Sequence, residues 1–144
     1  MDFFTAMEVS ASGMATQRTR MNVASSNLAN VNSTGPDGEG YKRRDVVVRS
    51  QELTGGISGH RAGGFGSVVR SASVAEIVED DSPPQMLYDP GHPDADENGY
   101  VAMPNISAIE EMVDMITASR AYEAGITALG TAVNMAERAL GIGR

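Results

Sequence analysis

Apolar side chains recur every seven residues near the beginning of the chain. The positions that share this spacing are Phe4, Met7, Ala11, Met14, Met21 and Leu28. Apolar residues three and four positions apart lie on one face of an α-helix, and a seven-residue repeat is typical of a coiled-coil seam. Because asparagine favours turns and caps over helix interiors, the helix is predicted to fray or end where Asn22, Asn27, Asn30 and Asn32 accumulate.

A cleaner repeat occupies the end of the chain. It consists of Met112, Met115, Ser119, Tyr122, Ile126, Leu129, Val133, Ala136 and Leu140. The alternating spacing of three and four residues predicts a coiled-coil helix over 107–140. Ser107 has the side chain of an N-cap, with Glu110 three residues later, and Gly141 is a typical stop. Gly125 and Gly130 inside this helix are explained either by a close helix contact or by sequence drift.

Each apolar stripe alone would fit an ordinary amphipathic helix on a globular core. The region between them is too small and too rich in glycine to supply such a core. All six prolines lie between Pro36 and Pro104, and six of the sixteen glycines lie in 55–66, which reads as a flexible loop. Pairing of the two terminal helices with each other is therefore favoured.

The middle of the chain has the pattern of short β-strands. Alternation and Val or Ile enrichment predict strands within 41–52, 73–79, 84–88 and 100–103. The fold class is therefore mainly α with a β-rich insert. The expected domains are an N-terminal helix at 1–32, a linker and small β-rich insert at 33–104, and a C-terminal helix at 105–144.

Charge and composition exclude several classes of function. With 11 Lys+Arg against 19 Asp+Glu the formal charge is −8, and the excess comes from 76–100, which has eight acidic residues and no Lys or Arg. Nucleic acid and anionic membranes are poor partners for such a chain. The basic run 41–44 is interpreted as part of a surface strand. No stretch has the roughly 18 apolar residues of a membrane span, and the first residues have no secretory leader pattern.

Few residues are candidates for chemistry. The absence of cysteine excludes disulfides and thiolate sites. Asp94, Asp96, Asn98 and Gly99 imitate the start of a calcium loop, but the twelfth position is Asn105, so an Asx-rich turn is the stronger interpretation. His60 and His92 are isolated. No metal, cofactor or catalytic group is predicted.

Both ends also resemble a known family. The segments SSNLANVNSTG (25–35), GYKRR (40–44) and the whole of 104–144 are similar to the flagellar basal-body rod proteins, and 82–105 looks like the proximal rod proteins of the C type. The positions that carry this resemblance most strongly are Asn27, Asn30, Asn32, Gly40, Tyr41, Glu110, Glu111, Arg120 and Tyr122.

The resemblance implies a structural protein, not an enzyme. It implies export by the flagellar type III apparatus without a cleaved signal peptide, and assembly into the periplasmic rod of the basal body. The terminal helices would pair as an axial coiled-coil domain from which the insert projects. The implied partners are copies of the chain, other rod and basal-body proteins and the export apparatus, with no nucleic acid, membrane insertion or small-molecule substrate. The alternative is a secreted coiled-coil adaptor or translocator-like protein that forms no tube.

Overall fold

The computed structural model describes residues 3–35, 40–52 and 70–142. Within these ranges the elements are α1 (Phe3–Ala29), β1 (Arg44–Glu52), β2 (Arg70–Glu79), β3 (Gln85–Tyr88), β4 (Tyr100–Met103) and α2 (Ala108–Ile142). Their order matches the predicted one of two terminal helices with four short strands between them. The glycine-rich loop predicted at 55–66, with His60, lies outside the described residues.

Polar side chains mark the helix ends at the predicted places. Directly after α1, the side-chain nitrogen Nδ2 of Asn30 donates to the Ser26 carbonyl oxygen at 2.8 Å, and Ser33 Oγ donates to Asn30 Oδ1 at 3.0 Å. At the start of α2 the Glu110 backbone N–H donates to Ser107 Oγ at 3.4 Å, which is an N-cap bond. Gly141 was wrongly expected to end this helix, which continues to Ile142. A glycine ends a helix only where its own backbone leaves the helical conformation. Elsewhere the helix continues through the glycine, which has a lower helix propensity than other residues.

The two helices pack against each other in opposite directions. Asn27, near the end of α1, hydrogen-bonds Glu111 in the first turn of α2, whereas Met14 contacts Gly125 farther along. The buried and half-buried side of α2 consists of Glu111, Met115, Ala118, Tyr122, Gly125, Leu129, Ala132 and Ala136. These positions keep the alternating three and four residue spacing of a helix-packing seam.

The β-strands form two separate antiparallel ribbons. In the first, β1 pairs with β2 from Arg44 opposite Glu79 to Glu52 opposite Arg70, with a β-bulge between Val47 and Val48. This ribbon lies beside α1, where the Ala72 backbone N–H donates to Ser12 Oγ at 3.3 Å. The second ribbon pairs β3 with β4, and its Tyr88 and Tyr100 rings meet edge to face at 5.3 Å.

The acidic segment before β4 is an Asx-rich turn, as the sequence predicts. Asp96 Oδ1 accepts the backbone N–H groups of Asn98 and Tyr100, both at 2.8 Å, and Gly99 takes a positive φ of 81°. The Asp94 carboxylate accepts a hydrogen bond from Thr34 Oγ1 at 2.7 Å. These carboxylates therefore stabilise the turn and attach it to the segment after α1.

The two glycines inside α2 have different surroundings and therefore different expected substitution effects. A Cβ on Gly125 would lie 2.7 Å from Met14 Cγ, whereas a Cβ on Gly130 would meet no atom within 4 Å. We expect Gly130→Ala to raise the free energy of unfolding by about 1 kcal/mol through helix propensity. Gly125→Ala should raise the free energy of unfolding by less than this, or lower it, because Met14 must move to make room. Chemical denaturation of both variants measures the difference, and equal stabilisation would contradict the close contact at Gly125.

Candidate functional site

A cluster of buried and half-buried polar side chains joins three segments of the chain. It consists of Ser26 and Asn27 at the end of α1, Tyr41 and Arg43 in the segment before β1, and Glu111 in the first turn of α2. We call this set the junction cluster. Asn27 is 1% exposed and Glu111 is 2% exposed, as deeply buried as the apolar residues Ala118 at 1% and Val101 at 2%. Two of the most deeply buried side chains of the described residues are therefore polar.

The Asn27 amide connects all three segments. Its Nδ2 donates to the Arg44 carbonyl oxygen at 2.8 Å and to Glu111 Oε2 at 3.0 Å. Its Oδ1 accepts the Tyr41 hydroxyl and the Arg44 backbone N–H, both at 3.0 Å. An asparagine amide has two N–H donors and two acceptor lone pairs. All four are used, so the burial of this side chain leaves no hydrogen bond unmade.

An ion pair completes the cluster. Arg43 Nε donates to Glu111 Oε1 at 2.7 Å, with the Arg43 side chain 24% exposed. The hydrogen bond with Glu111 raises the pKa of the Arg43 guanidinium above its ordinary value, although partial burial acts in the opposite direction. Glu111 also lies in the first turn of α2, where the helix dipole favours a carboxylate. The Arg43 guanidinium and the Glu111 carboxylate therefore compensate each other's charge where the protein shields them from water.

Backbone packing brings Tyr41 and Arg43 into this position. The Tyr41 backbone N–H donates to the Ser33 carbonyl oxygen at 3.3 Å, and a Cβ on Gly40 would lie only 3.1 Å from that same oxygen. Glycine at position 40 therefore allows the backbone at residues 40–41 to lie close to the backbone at Ser33. The Tyr41 hydroxyl lies 3.2 Å from Ser26 Oγ, and the Arg44 guanidinium lies 5.6 Å from the Tyr41 ring centre.

The chemistry of the cluster is structural. Every buried side-chain nitrogen and oxygen of the described residues has a hydrogen-bond partner. The polar groups of the cluster are therefore held in place by hydrogen bonds to other groups of the protein. Among those residues there is also no group of three or more His, Asp or Glu that could hold a metal ion. Neither helix, over its described length, is long and apolar enough to cross a membrane. The arrangement fixes the end of α1, the segment 40–44 and the start of α2 relative to one another.

The structure brings only some of the positions that carry the family resemblance into the cluster. Asn27, Tyr41 and Glu111 meet there, with Gly40 beside them. Outside it, Asn30 terminates α1, Tyr122 is half-buried against the helix pair, and three positions are exposed on the surface: Asn32, Glu110 and Arg120.

Sequence reasoning missed Arg43 and Ser26. The basic run 41–44 was interpreted as a surface strand, which is wrong for Arg43, because this residue precedes β1 and pairs with Glu111. The available signal was the family resemblance, which marks Glu111. The apolar repeat selects Met112 and not Glu111, so the periodic pattern indicates neither an inward carboxylate nor the cation that it needs.

The positions predicted for the helix seams are distributed over two sides of the helices. In α1, Met7, Met14, Met21 and Leu28 are half-buried, while Phe4 and Ala11 are exposed. In α2, Met115, Tyr122, Leu129 and Ala136 lie on the buried side, and Ser119 and Val133 are half-buried beside them. The remaining positions are exposed: Met112 by 41%, Ile126 by 50% and Leu140 by 77%.

Comparison with known proteins assigns this arrangement of terminal helices to a class of structural proteins. Residues 7–36 match the family model described as "Flagella basal body rod protein", and residues 97–142 match "Flagellar basal body rod FlgEFG protein C-terminal". Together these matches include α1 from Met7 onward, the whole of α2, and Ser26, Asn27 and Glu111 of the junction cluster. They place the chain among the rod-type structural proteins of the flagellar basal body.

Relatives that match nearly the whole chain identify one family within this class of structural proteins. The chain is 39% identical over 138 residues to the flagellar basal-body rod protein FlgC of Salmonella typhimurium, with 95% of each chain covered. It is 40% identical to FlgC of Bacillus subtilis over the full length of both, and 41% identical to FlgC of Borreliella burgdorferi with 99% and 98% covered. The chain belongs to the FlgC family of flagellar basal-body rod proteins.

Proposed function

We propose that the chain is a subunit of the proximal rod that assembles through its two terminal helices into the wall of a hollow shaft. The observation that carries this proposal is an apolar surface of α2 that α1 leaves uncovered. Ile109 is 72% exposed, Met112 41%, Val113 56% and Ile116 52%. These residues are spaced as i, i+3, i+4 and i+7, so they form one contiguous patch on the first turns of α2. We call it the outer patch.

The apolar character of the outer patch agrees with contacts to other subunits. A contiguous exposed apolar patch is typical of a protein interface. An interface in which one surface patch binds a different patch on the next copy propagates helically when the rotation does not close. We propose that the outer patch and the exposed seam positions Phe4, Ile126 and Leu140 contact copies of the chain and other rod proteins.

The proposal extends to organisation and location. The axial domain comprises 1–32 and 105–144, paired as a coiled coil, and 33–104 is the insert that projects from it. The chain reaches the periplasmic rod through the flagellar type III export apparatus without a cleaved signal peptide. This part is supported by membership of the rod family and by the apolar helix surfaces, which have few partners before assembly.

One observation favours the adaptor alternative. The helices pack on each other within one chain, with Met14 against Gly125, so part of the seam closes without a second subunit. The two functions are distinguished by isolating basal bodies from cells that express a tagged chain. A rod subunit is recovered in the rod fraction after detergent extraction. Recovery only in soluble complexes, with complete rods formed without the chain, would establish the adaptor function instead.

A charge placed between the helices should abolish incorporation. Leu129 lies on the side of α2 that packs towards α1, and an aspartate there would have no partner for its charge. We expect Leu129→Asp to lower helix content by circular dichroism and to eliminate the chain from purified rods. Thr127→Asp adds the same charge at an exposed position and should be incorporated. Complete rods containing Leu129→Asp would contradict a role for this side of α2 in the axial domain.

A further inference from the structure

The packing of α1 on α2 is nearly repetitive. Met14 lies against Gly125, and in an antiparallel pair each step of seven residues along one helix matches a step of seven along the other. The sequence therefore gives three equivalent levels, which are Met7 with Ala132, Met14 with Gly125 and Met21 with Ala118. At each of these levels the spacing places a methionine opposite a small residue.

This repetition makes apolar packing a poor determinant of register. A slide of one heptad would place Met14 on Ala118 or on Ala132 and would again put methionine over a small residue. Methionine is flexible and adapts to such changes. The contacts that would favour one register by shape are few, since Ala118 is the one apolar residue of α2 within the described chain that is fully buried.

The junction cluster has no equivalent seven residues away. Glu111 is held by Asn27 and Arg43 at 3.0 and 2.7 Å. A slide of one heptad displaces α2 by about 10 Å along α1. The positions seven residues along are Arg20 on α1 and Ala118 on α2, and neither reproduces the amide and carboxylate pair. A slipped register would therefore break both hydrogen bonds to Glu111.

We propose that the junction cluster is a register lock, which selects one alignment of α1 and α2 among several that apolar packing would accept. Buried polar groups are known to fix register in paired helices. The lock acts within one chain and does not depend on the proposed rod function. Arg43, Asn27 and Glu111 are positioning residues in this role.

Disulfide trapping tests the proposal directly, because the chain contains no cysteine. The in-register pair is Met14→Cys with Gly125→Cys, and the slipped pairs are Met14→Cys with Ala118→Cys or with Ala132→Cys. Each pair is built into the natural chain and into the variant Arg43→Met/Glu111→Leu, which replaces the ion pair with apolar side chains. Oxidised chains are separated into monomer and dimer, and peptide mass spectrometry quantifies the intramolecular links.

We expect the natural chain to form the in-register link and little of either slipped link. In the apolar variant the fraction of slipped links should rise by about tenfold. Helix content should be largely retained, because apolar pairs replace buried ion pairs with little loss of stability and the remaining cost is one N–H of the Asn27 amide without an acceptor. Lys42→Met/Asp81→Leu removes an exposed ion pair whose side chains are 56% and 87% exposed, and this control should leave the link pattern unchanged.

A second variant keeps the test decisive if the apolar variant loses helix content. Glu111→Gln retains an acceptor for Asn27 and should raise slipped links by a smaller factor, about threefold. Slipped links that stay at the natural level in a variant with natural helix content would overturn the proposal and assign the register to the connecting segments. Abundant slipped links in the natural chain would overturn it as well.

Discussion

Replacing Arg43 by alanine is expected to lower the free energy of unfolding by about 3 kcal/mol, the lower end of the effect of breaking a buried ion pair. Glu111 is 2% exposed and Arg43 24% exposed. Without the guanidinium the carboxylate keeps only the Asn27 amide as a partner, and water reaches it poorly. Partial exposure of Arg43 leaves some access for water, which places the expected effect at that lower end.

Urea denaturation followed by circular dichroism measures the effect, and two variants control it. Lys42→Ala breaks an ion pair that is exposed on both sides, and should change stability by less than about 1 kcal/mol. Arg43→Met/Glu111→Leu removes both charges and should recover part of the loss. It eliminates the unpaired carboxylate, but one N–H of the buried Asn27 amide then has no acceptor. An Arg43→Ala chain as stable as Lys42→Ala would mean that Glu111 is not desolvated as the structure describes.

The end of α1 and the start of α2 were predictable because local chemistry decides them. Asparagine competes with helical hydrogen bonds through its own side chain, and α1 ends at Ala29, directly before Asn30. Ser107 accepts the N–H of Glu110 at the start of α2. Both signals lie within a few residues of the position they determine, so no tertiary information was needed.

The buried side of α2 was only half predictable. Counting apolar residues selects Met112 and Ile126, whereas the structure turns Glu111 and Gly125 towards α1. Closely packed helices need small residues at their contact, and a hydrophobic count gives such residues little weight. Met112 and Ile126 remain on the outside of the helix pair, where another protein could cover them.

The junction cluster has no periodic signal in the sequence. Arg43 and Glu111 are 68 residues apart and Asn27 and Glu111 are 84 apart, and the segments that carry them follow different patterns. Their meeting depends on the close approach at Gly40 and on the antiparallel packing of the helices. The family resemblance marked Asn27, Tyr41 and Glu111 separately, and only the structure joins them with Arg43.

An aspartate at Ile116 is expected to prevent rod assembly while leaving the chain folded. Ile116 is 52% exposed in the outer patch, and on the α2 helix it lies opposite the buried positions Glu111 and Ala118. The variant should therefore keep its helix content and remain within about 0.5 kcal/mol of the natural stability, as surface substitutions usually do. A neighbouring subunit that covers the patch would bury an unpaired carboxylate, which strongly opposes association.

Swimming of cells in soft agar and electron microscopy of isolated basal bodies measure assembly, and circular dichroism measures folding of the same variant. Thr117→Asp adds the same charge at the adjacent exposed position. This variant should assemble into rods, and cells that express it should swim normally. This pair separates assembly from folding, which Leu129→Asp alone does not, since that change also disturbs the packing of α1 on α2. Normal rods built from Ile116→Asp would remove the outer patch from the subunit interface and leave the sides of α2 nearer to α1 as the remaining assembly surface.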